Sequence, residues 1–174
     1  MFVTGRFVAL VAVGALPVLF WPYAPTVLLW VLFCLVAAII DLVAAGSTTA
    51  VRIWRMPTDP IRLGQRTQTA LLVDNPGTRT FRGRIRDAWQ PSAGAAGTIH
   101  TVRVPPGERR IVVTGLQPTR RGDRLASRVT IRRSGPFGLA GRQRSTAIPG
   151  YVRALPPFTS RKHLPSRLAR LRQL

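Results

Sequence analysis

The side chains that most often perform chemistry are few in this sequence, and they are widely spaced. The 174 residues include two histidines, one cysteine and six acidic residues. His100 shares an alternating pattern with Val102 and Val104, which predicts a histidine at the edge of a strand-packed core. His163 lies in a predicted linker. We therefore expect no metal site, because structural metal ligands come in closely spaced groups of Cys and His.

The remaining reactive groups form no recognisable catalytic set either. Asp59, Asp74 and Asp87 lie too far apart to be identified as a carboxylate pair from sequence. Ser134 has no nucleophile-elbow context, and there is no glycine-rich phosphate-binding loop. The sequence therefore predicts a protein that is not an enzyme and that binds no cofactor.

The dominant element is an apolar segment at the N-terminus. Its first run begins at Phe7 and ends at Phe20, and its second begins at Thr26 and ends at Ala45, with a Trp-Pro-Tyr-Ala-Pro break between them. Asp41 is the one charge within the two runs. About 20 helical residues cross a bilayer, so residues 1–46 predict a two-helix transmembrane hairpin.

Two features of this segment have alternative interpretations. Residues 1–22 have the general form of a cleaved signal peptide, but no small-x-small cleavage site follows the apolar run. Asp41 is either an acid that reaches water at the membrane edge or a contact with a partner inside the membrane. Cys34 is expected to face lipid or the neighbouring helix.

The charge distribution predicts the topology. Arg6 and Asp41 cancel, so the whole net charge of +20 lies in residues 47–174. Lys and Arg beside transmembrane helices resist translocation, and a hairpin keeps both of its ends on one side. We therefore expect a multi-pass protein of the bacterial inner membrane, with its soluble part in the cytoplasm.

Residues 47–157 alternate between apolar and polar side chains and carry frequent turn signals. The pattern predicts about seven or eight strands, beginning near residue 51 and continuing through residues 67–73, 81–89, 99–104, 110–115, 125–133, 139–148 and 151–155. Such alternation is typical of antiparallel sheets with one wet face. We expect an all-β antiparallel sandwich of the immunoglobulin-like type. Residues 158–174 are then a basic linker, which fits a short helix.

Two motifs in the predicted sandwich carry a family resemblance. One is an Arg-Gly element at Arg121 and Gly122, and the other is a Pro-Phe-Gly-Leu turn formed by Pro136, Phe137, Gly138 and Leu139. A Val-x-x-x-Pro segment at residues 152–156 follows. With the N-terminal hairpin, this order resembles the membrane-anchored N-terminal half of the bacterial domain of unknown function 58 family.

The resemblance implies a partner and a further domain. Family members usually continue into a von Willebrand factor A-like domain, often with a metal-adhesion motif, and are thought to act with a MoxR-type AAA ATPase. No Asp-x-Ser-x-Ser motif is present here, so no metal ligand is assigned. The residues themselves suggest a structural role for both motifs, because glycine permits turns that other residues disfavour.

Two functions fit these features. The first is a non-enzymatic membrane-anchored scaffold that mediates protein interaction. The second is a module for polyanions, namely anionic lipid headgroups, cell-envelope polymers or nucleic acid, although aromatic residues do not interleave with the arginines as nucleic-acid binding favours. A basic surface that only fixes topology and solubility is the plainest alternative. The candidate membrane-surface contacts are Arg52, Arg55, Arg161, Lys162 and Arg167.

Overall fold

The computed structural model describes residues 1–157, so the predicted basic linker and its candidate contacts Arg161, Lys162 and Arg167 lie outside the described residues. The chain begins with three apolar helices, α1 (Gly5–Val13), α2 (Ala15–Phe20) and α3 (Ala24–Ala44). Among these, α3 alone is long and apolar enough to cross a membrane. The structure therefore shows one apolar helix of spanning length near the N-terminus.

The first predicted helix is divided at Gly14. Proline lacks a backbone N–H, so Pro17 cannot donate to the carbonyl four residues earlier, and the helical hydrogen-bonding is interrupted at this point. Gly14 also lets α3 pack closely on this segment, because a Cβ at Gly14 would lie 2.1 Å from Trp30 Nε1 on α3. In the most apolar stretch of 18 residues of α3, 11% is buried. This helix is therefore not the core helix of a soluble domain.

Within residues 1–157, ten strands precede or follow the helices. They are β1 (Phe2–Val3), β2 (Arg52–Arg55), β3 (Ile61–Arg62), β4 (Thr67–Asp74), β5 (Phe81–Trp89), β6 (Ile99–Val104), β7 (Arg109–Leu116), β8 (Gly122–Ser134), β9 (Ala140–Thr146) and β10 (Gly150–Leu155). A 3₁₀ turn, Pro91–Ala93, lies in the loop between β5 and β6.

The strands form two sheets. The large sheet has the order β1-β9-β8-β10-β3, with β5 paired to β8 and β6 paired to β5, and the small sheet has the order β2-β4-β7. All pairs are antiparallel except β10 with β3. The core lies between the sheets, where Leu71 and Val73 of the small sheet meet Phe81, Ile85 and other side chains of the large one. The predicted antiparallel sandwich is confirmed.

The long strand β8 gives the sandwich two distinct ends. Its C-terminal residue Ser134 pairs with Gly141 beside the turn that contacts α3, and we call this the helix end. Its N-terminal residue Gly122 pairs with Ala154 of β10, the last described strand, and we call this the far end. At about 3.3 Å per residue, the two ends of β8 are roughly 40 Å apart.

Candidate functional site

The clearest polar constellation joins α3 to the sandwich through Asp41. Its carboxylate accepts three backbone hydrogen bonds from the turn before β9: Phe137 N–H donates to Oδ1 at 2.8 Å, while Leu139 and Ala140 N–H donate to Oδ2 at 2.7 and 2.9 Å. Asp41 is fully buried. Three converging N–H groups form a binding site for a carboxylate, so this acid is neither in water nor free to bind another chain. The expectation that Asp41 reaches water is therefore wrong.

The three hydrogen bonds hold Asp41 at a position in its helix that is unfavourable for an acid. It lies in the last turn of α3, where the negative end of the helix dipole disfavours an acid. Charge-assisted hydrogen bonds are about twice as strong as neutral ones, so the three bonds outweigh this cost. The contact spans 96 to 99 residues of sequence, and it fixes the end of the helix on the sheet.

Two glycines make room for this contact. Gly138 has a φ of +68°, which a residue with a side chain rarely adopts. A Cβ at Gly135 would lie 2.2 Å from both the carbonyl oxygen and Oδ1 of Asp41. The Pro-Phe-Gly-Leu turn is therefore shaped to receive the helix, and we call Asp41 together with residues 135–140 the junction.

The N-terminus binds the same turn from its other side. Phe2 and Val3 of β1 pair with Gly141 and Ala140 of β9. Thr4 then donates its N–H to the Leu139 carbonyl at 3.0 Å, and its hydroxyl bonds to the Gly138 carbonyl. The segment before α1 and the last turn of α3 are thus held by the same turn of the sandwich.

The chain also leaves α3 along a fixed path. Gly46 has a φ of +70° and passes close to the Arg133 guanidinium, which donates to the Ser47 carbonyl at 3.2 Å. Partial burial lowers the pKa of Arg133. The same guanidinium lies over the Phe81 ring, 5.5 Å from its centroid. The exit from the helix is therefore packed against the sheet.

The two family motifs do not come together. Arg121 and Gly122 lie at the far end of β8, while residues 136–139 belong to the junction. Gly122 has a φ of +92°, and the Arg121 carbonyl accepts a bond from Arg124 at 2.9 Å. Both elements thus serve turns, as their residue types suggest. Nearby, the Arg153 guanidinium bonds Asp123 at 2.8 Å and lowers the pKa of that carboxyl below 3.8.

Of the candidate membrane-surface contacts, Arg55 is in the interior. Its side chain is 5% exposed and binds the fully buried Asp87 through both terminal nitrogens, at 2.9 and 2.6 Å. Trp89 Nε1 donates to the same carboxylate at 2.8 Å, and its ring lies 4.8 Å from the guanidinium carbon. Arg55 therefore ties the small sheet to the large one and is unavailable to headgroups. Arg52 is exposed.

No arrangement typical of catalysis is formed by the described residues. His100 shares a 3.2 Å hydrogen bond with Thr114, at the edge of the core as its spacing predicts. No group of three metal-binding side chains comes together within residues 1–157. A hollow of about 680 Å³ lies over Gly94, Ala96 and Gly115, and Arg66 is the one ionisable residue among those lining it.

Sequence reasoning found Asp41 and the turn separately but missed their connection. It also missed the pairing of Arg55 with Asp87 and the strand at Phe2. A signal for the first was present: an acid near the end of a long apolar helix needs donors, and a turn rich in glycine exposes backbone N–H groups.

The fold and the junction together define a class: an antiparallel β-sandwich onto which an apolar N-terminal helix is locked by a buried carboxylate. Comparison with known proteins takes the identification no further. Neither the protein-family models nor the curated proteins include a match. The resemblance to the domain of unknown function 58 family therefore stays a prediction.

Solved structures with a similar arrangement of strands are distant. The PapD-like domain 7 of human CEP192 is 11% identical, with 63% of this chain and 87% of that one covered and a TM-score of 0.41. The CARDB domain of PF1109 from Pyrococcus furiosus is 14% identical, with 57% and 94% covered and a TM-score of 0.35. The DNA glycosylase AlkC of Pseudomonas fluorescens is 16% identical, with 75% and 40% covered and a TM-score of 0.35. These likenesses carry no argument about function.

Proposed function

We propose that the chain is a non-enzymatic, membrane-anchored scaffold that presents a β-sandwich to a protein partner. In this proposal α1, α2 and α3 form a transmembrane hairpin that is retained in the bilayer. The sandwich stands on the cytoplasmic side, as the basic character of residues 47–157 favours. The partner is a MoxR-type AAA ATPase system, reached through a following von Willebrand factor A-like domain, as the family resemblance suggests.

The observation that carries the proposal is the junction. A module that only needs to stay near a membrane can hang from a flexible linker, whereas a scaffold must hold its cargo at a fixed place. Here the carboxylate of Asp41 accepts three backbone hydrogen bonds from the sandwich, and the exit at Ser47 is bound to Arg133. Such contacts favour a rigid attachment of the sandwich to the helix over a flexible linker.

The direction of the chain supports the same function. β10 ends at Leu155, at the far end of the sandwich, while the junction occupies the helix end. Whatever follows β10 starts roughly 40 Å from the junction, by the length of β8. The sandwich thus acts as a spacer between the membrane and the next element of the chain.

The contacts of Phe2 and Thr4 favour a retained anchor over a cleaved signal peptide. Removal of residues 1–22 would take away β1, the bonds of Thr4 to the turn and the helix segment that packs on Trp30. Segments destined for cleavage are not expected to be part of the mature fold.

The test is to recover the native protein from cell membranes solubilised at high salt and to identify what remains bound. We expect a MoxR-type ATPase to be retained, because a specific docking surface resists salt better than an ionic one. Absence of that ATPase, or its loss at moderate salt, would contradict the assigned partner.

A further inference from the structure

The outward surface of the large sheet is unusually rich in arginine. Along β5, β6 and β8 the buried residues alternate with exposed ones, and six of the exposed positions carry guanidinium groups. We call this surface the arginine face; its members are Arg82, Arg84, Arg86, Arg103, Arg128 and Arg132.

The strand register brings these charges together instead of separating them. Arg82 lies directly opposite Arg103, and Arg84 lies directly opposite Arg132. Like charges in opposite positions of neighbouring strands destabilise a sheet. These opposed arginines therefore make the fold less stable than neutral residues at the same positions would. Binding surfaces often carry such a loss of stability.

The arginine face holds no carboxylate among the described residues that would neutralise it. On β5, β6 and β9 and in residues 128–134 of β8 the other outward side chains are apolar or neutral, including Ile99, Thr101, Thr130 and Gln143. The exposed acid of β8, Asp123, lies at the far end and is bound to Arg153. Gln143 accepts one bond from Arg132 at 2.7 Å. Elsewhere in residues 1–157 several arginines have an acidic partner, as Arg153 has Asp123.

The most crowded part of the face lies at the helix end. The Arg132 guanidinium lies 5.5 Å from the ring centroid of Phe2, three residues before the start of α1. Arg132 is three residues before Gly135 of the junction, about 10 Å along the strand. Arg84 and Arg82 lie beside the same stretch of β8, while Arg128 lies further towards the far end.

We propose that the helix end of the arginine face binds the phosphate groups of anionic phospholipids in the membrane that anchors the chain. The proposal rests on α3 spanning that membrane. Guanidinium groups bind phosphate in a bidentate manner and are weakly hydrated, so they suit a headgroup layer. Arg82, Arg84, Arg103 and Arg132 are the contacts, because the junction places them within about a Debye length, about 10 Å, of the helix end.

Nucleic acid is the less suitable ligand for this surface. Proteins that bind single strands place aromatic rings beside their basic groups, on which bases stack. The outward positions of β5, β6 and β8 carry none, and Phe2 is at the border next to the helices. Attachment to a bilayer also keeps the face beside headgroups at all times.

The test uses the full chain in nanodiscs, with a polarity-sensitive fluorophore on the face. Cys34→Ser removes the native thiol, and Thr101→Cys places the label between arginines. We compare discs of phosphatidylcholine alone with discs that also contain phosphatidylglycerol, at low and high salt. A blue shift in emission that requires phosphatidylglycerol and disappears with salt is the expected result.

The matched variants separate the helix end of the arginine face from overall charge. The helix-end variant combines Arg82→Gln, Arg84→Gln and Arg103→Gln. The far-end variant removes the same charge through the substitutions Arg120→Gln, Arg121→Gln and Arg128→Gln. At about fivefold for each arginine near the surface, the helix-end variant lowers the docking equilibrium about a hundredfold. The far-end variant retains most of the shift.

The thermal midpoint provides a second readout. Relief of the opposed charges leaves the helix-end variant at least as stable as the parent, whereas a structural role for these arginines would lower its midpoint by several degrees. Equal emission in both kinds of disc, or equal loss in both variants, would overturn the proposal. So would a blue shift caused by an added DNA duplex but not by phosphatidylglycerol, which would assign the face to nucleic acid.

Failure of this proposal is distinguishable from failure of the scaffold function. The ATPase is recovered at high salt, where binding to headgroups is screened, so either result can occur without the other.

Discussion

Replacement of Asp41 by asparagine tests the junction with the smallest possible change in shape. The side chain keeps its size, but it loses its charge and exchanges one acceptor oxygen for an NH2 group. In the structure Oδ2 accepts two bonds, from Leu139 and Ala140, and Oδ1 accepts one, from Phe137. The carbonyl oxygen of asparagine can accept from Leu139 and Ala140. Its NH2 group then faces the Phe137 N–H, which is also a donor and is left without an acceptor.

The expected loss follows from these three bonds. An unsatisfied buried N–H costs about 1–3 kcal/mol, and the two remaining bonds weaken by about 1 kcal/mol each when the acceptor is neutral. Removing an acid from the last turn of α3 returns about 0.5 kcal/mol from the helix dipole. We therefore expect the attachment of the helix to weaken by at least about 2.5 kcal/mol, which corresponds to a detached population at least about a hundredfold larger.

Two measurements report this attachment. Hydrogen exchange at the amides of Phe137, Leu139 and Ala140 becomes about a hundredfold faster when opening of the junction controls it. Spin labels at Leu28 of α3 and at Arg128 of β8, on a Cys34→Ser background, report the geometry. These positions are at most roughly 50 Å apart, because Leu28 lies about 20 Å along α3 from Asp41, Arg128 lies about 23 Å along β8 from Gly135, and the contact between the two backbones adds a few ångströms. We expect a narrow distance distribution in the parent and a broad one in the variant.

The control is Asp59→Asn, which removes the same charge from an exposed position outside the junction. We expect it to change neither the exchange rates nor the distances. If Asp41→Asn also leaves both unchanged, then the three hydrogen bonds do not hold the helix, and the rigid support proposed here has no basis.

Three further changes test other parts of the structure. Gly135→Ala places a Cβ 2.2 Å from the carbonyl of the junction acid and should broaden the same distance distribution, while Gly5→Ala, with open space around its Cβ, should not. Asp87→Ala leaves a buried guanidinium unpaired and should cost about 3–5 kcal/mol in unfolding free energy, with red-shifted Trp89 emission; an unchanged denaturation midpoint would show that the ion pair is not structural. Asp123→Asn should remove a small part of the acid sensitivity of unfolding. A carboxyl with a lowered pKa contributes stability above pH 3.8, and this stability is lost as the pH falls through the pKa of the folded state. If the free energy of unfolding of the variant falls with acid as steeply as that of the parent, this prediction is contradicted.

The strands of the sandwich could be predicted because their signal is local. In β5 the apolar and arginine positions alternate, so the sequence itself shows which side is buried. The boundaries of β4 and β6 follow for the same reason. Two strands, β1 and β3, were missed, since two residues are too few to show any period.

The contacts that join distant segments could not be predicted. Asp41 meets residues nearly a hundred positions later, and Arg55 meets Asp87 across 32 residues, so no spacing rule links them. An exposed arginine and a buried one have the same letter in a sequence. The alternation around Arg52 and Arg55 shows opposite faces but does not show which face meets the other sheet.

The arginine face is an intermediate case. The alternation of Arg82, Arg84 and Arg86 predicts one basic face of a strand from sequence alone. Its pairing with Arg103 and Arg132 depends on strand order and register, which the alternation of single strands does not determine. The concentration of charge at the helix end is therefore visible only in the folded molecule.

The measurement that tests the central claim most directly is protease accessibility of the native protein in two membrane preparations. We predict that protease removes the sandwich in inside-out vesicles and not in intact spheroplasts, and that the membrane retains a fragment that includes residues 1–46. Cleavage in spheroplasts, or a mature chain that begins after residue 22, would contradict a cytoplasmic scaffold held by a retained helical anchor.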